Sequence, residues 1–168
     1  MTVKDVITKS IELLNLDPAS VDYDALVRCY NLVEQELATG YFPTLEVDKF
    51  FNVKDKIYLK DFSRKLYMIK GIQDFRGDPV KFKVTKATSE YVELKKNYEG
   101  GTFFVKYYYI PEVKTLDDTC IYSADYLDIL VYGIAAEYYL TLSKIETALD
   151  FHLKQKEYID IKKPKKRI

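Results

Sequence analysis

The spacing of the apolar residues changes twice along this chain, and few folds satisfy both changes. From Val3 the apolar positions fall at Val3, Val6, Ile7, Ile11 and Leu14, the pattern of one helix face, with Thr2 placed as N-cap. Pro18 in "NLDPAS" ends that helix, because a proline ring clashes with the turn before it. Ala25, Leu26, Cys29, Leu32, Val33, Glu36 and Leu37 resume the period, and Gly40 is the expected C-cap. After "GYFP" the period becomes two. Val47, Lys49, Phe51 and Val53 alternate with Asp48, Phe50 and Asn52; Ile57 and Leu59 continue, and Leu66 to Ile72 is apolar on both faces. Val80, Phe82 and Val84, then Tyr91 to Leu94, then "TFFVKYYYI" complete about six short strands. The helical period returns after Ser123, the expected N-cap, through Leu127, Leu130, Val131, Ile134, Ala135, Tyr138 and Leu142. "SKIE" at Ser143 to Glu146 reads as a capping box opening a fourth helix through Ile145, Ala148, Leu149, His152 and Leu153.

The order is therefore helix hairpin, strands, helix hairpin, an α+β chain. Each flanking helix has one apolar face, so the two hairpins are expected to bury against each other as a four-helix platform. The β-rich insertion lies between helices 2 and 3. The expected divisions are a first hairpin over residues 1–44, a sandwich- or barrel-like module over 45–116, a second hairpin over 117–161 and a basic extended tail over 162–168.

Charge narrows the function classes. Basic and acidic residues number 26 each in 168, which does not indicate a general nucleic-acid or membrane-surface binder. Five of the 26 basic residues, Lys162, Lys163, Lys165, Lys166 and Arg167, crowd the last seven positions, leaving a mildly acidic body. Cys29 and Cys120 offer neither a disulfide framework nor a zinc spacing, and both are expected as free thiols. "MTVKDVITKSIELLN" lacks the apolar core of a signal peptide, so a soluble protein made in the cytoplasm is expected. The aromatics are one-sided, 16 Tyr and 9 Phe with no Trp, a usage that suits interfaces and half-buried sheets alike.

Nothing in the sequence assembles a reaction centre. His152 falls on the expected core face of the fourth helix, without a ligand partner at helical spacing. Asp117 with Asp118 lies in a polar link, and Asp125 with Asp128 opens a helix, where acidic residues complement the dipole. "YEGGT" is a hairpin turn rather than a phosphate cradle. The expectation is a non-enzymatic protein without metal or cofactor.

One stretch is unusual. "YGIAAEYYL" puts Gly133 inside a helix, where it costs about 1 kcal/mol relative to Ala. Gly133 and Ala136 share a side on which another helix can approach, while Ile134 and Tyr138 fill the core beside Ala135. Tyr132, Glu137 and Tyr139 point elsewhere, and Tyr132 and Tyr139 are expected at a subunit contact.

"VKDVITKSIELLNL", "LVRCYNLVEQELATGYFP" and "LDILVYGIAAEYYLTLSKIETALDFHLK", in this order around a strand insertion, resemble the head-to-tail adaptor or connector ring proteins of tailed bacteriophages. The resemblance implies a structural virion protein without catalysis. Such a protein forms a ring, commonly a dodecamer, beneath the portal, and joins it to the next tail or connector protein around the DNA channel. It implies self, portal and tail partners, proximity to packaged DNA, no membrane, and assembly in the host cytoplasm. A ring needs a heterologous interface, and an acidic body with a basic arm supplies one complementary pair. Lys162, Lys163, Lys165, Lys166 and Arg167 are accordingly expected to dock on an adjacent subunit or the portal, the alternative for this tail being channel DNA. Two competing classes are a soluble binding module using the Tyr-rich insertion, and an enzyme whose site is assembled from scattered carboxylates.

Overall fold

The computed structural model describes residues 1–84 and 90–163. Thr2 caps helix α1 (Val3–Leu14): its side chain accepts from the Asp5 amide while the Asp5 carboxylate accepts from the Thr2 amide. Val3, Val6, Ile7, Ile11 and Leu14 are all buried, so the spacing of the first helix translates directly into its packed face. Asn15 closes α1 in the left-handed region (φ 51°), with its own amide bonded to the Glu12 carbonyl and the Leu16 amide to the Ile11 carbonyl.

Asp22 caps α2 (Tyr23–Glu36) by accepting from the Ala25 amide. Leu26, Cys29, Val33 and Leu37 of the anticipated stripe are buried, but the buried face of α2 turns toward Tyr30 and Glu34: Leu32 is 57% exposed and Glu36 is exposed. The helix does not stop at a glycine cap either. Leu37–Tyr41 widen into a π turn that contains Gly40, and Leu37 and Ala38 stay buried within it.

Chain contacts divide the molecule into two units, Met1–Tyr41 with Val113–Ile168, and Phe42–Glu112. The inserted unit holds two three-stranded antiparallel sheets. One has the order β1–β6–β3, built from β1 (Leu45–Val53), β3 (Leu66–Asp74) and β6 (Gly101–Tyr109). The other, β2–β5–β4, is built from β2 (Lys56–Tyr58), β4 (Phe82–Val84) and β5 (Tyr91–Leu94). Val53, Ile57, Ile72, Val92, Leu94, Phe103 and Val105 come from both sheets and form one core, the arrangement of a small sandwich. Inside it the Tyr107 hydroxyl donates to the Asp48 carboxylate at 2.8 Å and accepts from the Arg64 amide, so a fully buried ring keeps its polar end satisfied.

The helical unit is centred on α3 (Leu127–Thr141), which packs against α1, α2 and α4 (Ile145–Lys162). Its residues Ile129 to Ala136 are buried around nearly the whole circumference, apart from a half-buried Tyr132. Ser123 begins a short 3-10 turn, Ala124–Tyr126, that leads into α3, and its side chain makes no capping bond. The "SKIE" capping box does not form. Ser143 is held at φ 57° as the C-terminal residue of a Schellman turn, with its amide on the Leu140 carbonyl and the Lys144 amide on the Tyr139 carbonyl. Helix α4 runs to Lys162, so the first residue of the expected tail is helical, and residues 164–168, with Lys165, Lys166 and Arg167, lie outside the described residues.

Candidate functional site

Helix α4 leans on α3 alone among its principal neighbours. It buries Ala148, Gln155 and Ile159, and an aromatic row fixes its rotation. Tyr132 stacks on Tyr158 (ring centroids 5.4 Å apart) and Tyr139 stacks on Phe151 (5.5 Å), while Tyr138 meets Tyr139 edge-on. The two tyrosines expected at a subunit contact are thus taken up between α3 and α4, because the glycine beside them lets the helices close to ring-stacking distance.

That close approach is centred on Gly133. A Cβ at this position would overlap Gln155 Nε2 and sit 2.7 Å from Val33 Cγ1, so α2, α3 and α4 converge on a point where only hydrogen fits. Ile134 and Ala136 are buried beside it, and Tyr138 is half-buried. Gln155 is buried with its Nε2 unpaired.

The same rotation turns an apolar stripe outward. Ile145 is 70% exposed, Leu149 55% and Leu153 51%; with i, i+4, i+8 spacing these share one side of α4. His152, expected in the core, is exposed here too. Toward the N-terminal end of α4 this face opens into a groove of about 380 Å³ between the three helices. Ala136, Leu140, Ile145 and Leu149 line it with apolar surface, and Glu36 from α2 and Glu137 from α3 supply its charge. Burial, then the neighbouring Glu36 carboxylate, raises Glu137 above the ordinary glutamate value, with His152 acting the other way.

The two described basic residues of the expected docking arm are engaged within their own unit. Lys162 Nζ is 4.0 Å from the Asp125 carboxylate and lies over the Tyr126 ring; Lys163 Nζ is 3.1 Å from Asp160 and lies over Tyr41.

Opposite in character is the outer face of sheet β1–β6–β3. Val47, Lys49 and Phe51 alternate outward beside Phe104 and Lys106, and Lys49 Nζ lies 4.7 Å from the Phe51 ring centre and 5.3 Å from that of Phe104. Lys70 on β3 covers the Tyr108 ring in the same way.

A buried polar ladder on α2 escaped the sequence reading. Glu34 Oε1 accepts from the Tyr30 hydroxyl and, at 3.1 Å, from the Ile121 amide; Oε2 has no partner. Burial raises the Glu34 carboxyl above its ordinary range against the opposing pull of those donors and of Lys114. Asn31, one turn earlier, brackets Lys114 by donating to its carbonyl and accepting from its amide. These residues fasten the returning link 113–122, whose Leu116 and Asp118 carbonyls also take the free amides of α1 at Lys4 and Val3. Their signal in the sequence is the i, i+4 pair Tyr30 and Glu34 on an otherwise apolar face. With burial at 2% exposure, Cys29 has its thiol pushed up to about 11, and Cys120 is buried beside Tyr30; both are free.

No group of three or more His, Cys, Asp or Glu among the described residues is placed to hold a metal ion, and no described helix is long and apolar enough to cross a membrane. The chain matches no family model and no curated protein sequence.

Proposed function

We propose that this protein is a non-enzymatic head-to-tail adaptor of a tailed-phage virion, assembling as a ring under the portal. The observation that carries the reading is the outer face of α4. A helix whose rotation is fixed by stacked aromatics, yet which leaves Ile145, Leu149 and Leu153 in water beside a groove, is built to be covered. The sequence order of helical hairpin, β sandwich and helical hairpin supports the same reading, since a helical platform then packs between copies while an inserted module reaches another component. The test is the virion of the genome that encodes the chain. The protein is expected among its structural components and is expected to co-migrate with that genome's portal protein on sizing; absence from purified virions overturns the proposal.

A second reading rests on the sandwich. Its outer sheet face joins Val47, Phe51 and Phe104 to Lys49, Lys70 and Lys106, the composition of a binding surface for an acidic partner. A free-standing binding module uses this face with the chain as a monomer, and substitution of Lys49 and Lys106 then abolishes its function while Leu149 substitutions do not.

A further inference from the structure

The outer face of sheet β1–β6–β3 sets flat rings beside charges of one sign. Directly opposed residues of an antiparallel pair share a face, so the register sorts the side chains. Lys49 stands opposite Phe104 on one side of β6, and Met68 and Gly71 stand opposite Tyr108 and Lys106 on the other. The carboxylates of these strands take the inner face: Glu46, Asp48 and Asp74 stand opposite Tyr107, Val105 and Phe103, all three buried. Among the described residues of the three strands, the outward charges are therefore Lys49, Lys70 and Lys106 alone. Neutrality of the whole chain hides this, because residues 42–112 hold 14 Lys and Arg against 10 Asp and Glu.

Lys49 Nζ rests near the rings of Phe51 and Phe104, and Lys70 Nζ lies 5.8 Å from the Tyr108 ring centre. Between these groups Gly71 leaves a recess of about 340 Å³ bounded by Val47, Phe104 and Lys106, and a Cβ on Gly71 would meet nothing within 4 Å. Its φ is not positive, so the backbone does not call for glycine; a glycine inside a strand then marks a place that a ligand can approach closely. We infer that this face binds single-stranded nucleic acid, with bases stacked on Phe51, Phe104 and Tyr108 and phosphates paired with Lys49, Lys70 and Lys106.

Each repeat of a nucleic-acid strand brings one flat π-face and one negative charge, the two features that alternate on the sheet. An acidic peptide brings the charge without the ring, and its carboxylates are repelled by the negative ring faces. A duplex brings phosphates but keeps its bases stacked on each other, so the outward rings gain nothing from it. The lysines resting on the rings give way readily, since a stacked base gains more than an exposed ammonium over the same ring. Each freed ammonium then turns to a phosphate.

The inference rests on the sheet-face reading and names its acidic partner. A fluorescein-labelled, twelve-nucleotide oligothymidylate is titrated with the full chain and followed by anisotropy from about 50 mM salt upward. Saturable binding is expected, with a slope of log affinity on log salt of about −2, the value for three phosphate contacts on a single strand. Lys49→Gln with Lys106→Gln should flatten that slope to about −0.7. Phe51→Ala, at a ring 64% exposed, should weaken binding about tenfold at an unchanged slope, with the fold intact by circular dichroism. Phe104→Leu should do the same while Phe104→Tyr retains affinity, and Gly71→Val should weaken binding by filling the recess. Absence of saturation, indifference to both Phe51→Ala and Phe104→Leu, or equal competition by a duplex of the same length overturns the inference. A polyglutamate peptide that binds through Lys49 and Lys106 where the oligonucleotide does not overturns it too, and leaves the acidic-partner reading standing. A chain found in virions that ignores the oligonucleotide keeps the adaptor reading and loses this one.

Discussion

Replacing Gly133 with alanine sets two opposing effects against each other at one atom. In an exposed helix the change is favourable by about 1 kcal/mol, because glycine carries the larger conformational entropy in the unfolded chain. Here the new Cβ overlaps Gln155 Nε2, lies 3.0 Å from Gln155 Cδ and 2.7 Å from Val33 Cγ1. Val33 is β-branched and helical, held to one rotamer, and is 1% exposed, so it has nowhere to turn. Gln155 is flexible but buried on the opposite side, so relief requires α4 to shift and the stacked rings to separate. Overpacking of this kind costs roughly 1–3 kcal/mol, and with two neighbours pinned the upper half of that range applies. The net expectation is a loss of about 1–2 kcal/mol, read as a lower urea midpoint of the helical signal at 222 nm. In a Val33→Ala, Gln155→Ala background the clash is gone, and Gly133→Ala should turn stabilising by up to about 1 kcal/mol. Stabilisation by Gly133→Ala in the unaltered chain would refute the close approach altogether. Gly133→Leu, with three more carbons to place, should separate α3 from α4.

Two other perturbations test local arguments. Ser143 sits in the left-handed region, where any Cβ is disfavoured, so Ser143→Gly should stabilise by roughly 0.5–1 kcal/mol in thermal melts; the same change at Asn15 should gain less, since asparagine tolerates that conformation. Glu34 is raised by burial, so above the ordinary glutamate value of 4.5 the native state holds its proton more tightly than the unfolded chain does. Stability from this group is complete below that value and declines as pH rises through the folded pKa; Glu34→Gln should flatten the fall in urea midpoint above pH 4.5, leaving the contribution of Glu137, which is raised in the same direction, and an unchanged slope would contradict the buried carboxylate.

What was readable in the sequence was local, and what was not depends on partners distant along the chain. The stripe of α1 and the alternation of β1 are set by periodicity, and each element appears where the spacing puts it. "SKIE" misleads because two local signals compete for one serine. A short connection between α3 and α4 forces a left-handed residue, and closing α3 takes precedence over capping α4. Asn31 and Glu34 look like solvent-facing residues until the link 113–122 arrives to use them, some 80 to 90 positions later. The groove was partly legible: Gly133, Ala136 and the acidic body against the basic end were visible, but not which helix face would be left open.

That open face follows from Gly133. Periodicity placed Ile145, Leu149 and Leu153 toward the core, and an amphipathic helix free to rotate would bury them. Helix α4 is not free. Gln155 must lie opposite the glycine, and Phe151 and Tyr158 must stack on Tyr139 and Tyr132, which presents Ala148, Phe151, Gln155 and Ile159 to α3. The stripe one residue on, about 100° around the helix, is then turned to solvent. Helix α4 therefore carries two apolar faces, and among the described residues only one of them is packed against a neighbouring helix. Satisfying the inner face by a close glycine contact, rather than by rotating the larger aliphatic side chains inward, leaves the aliphatic ones in water at a cost in solvation.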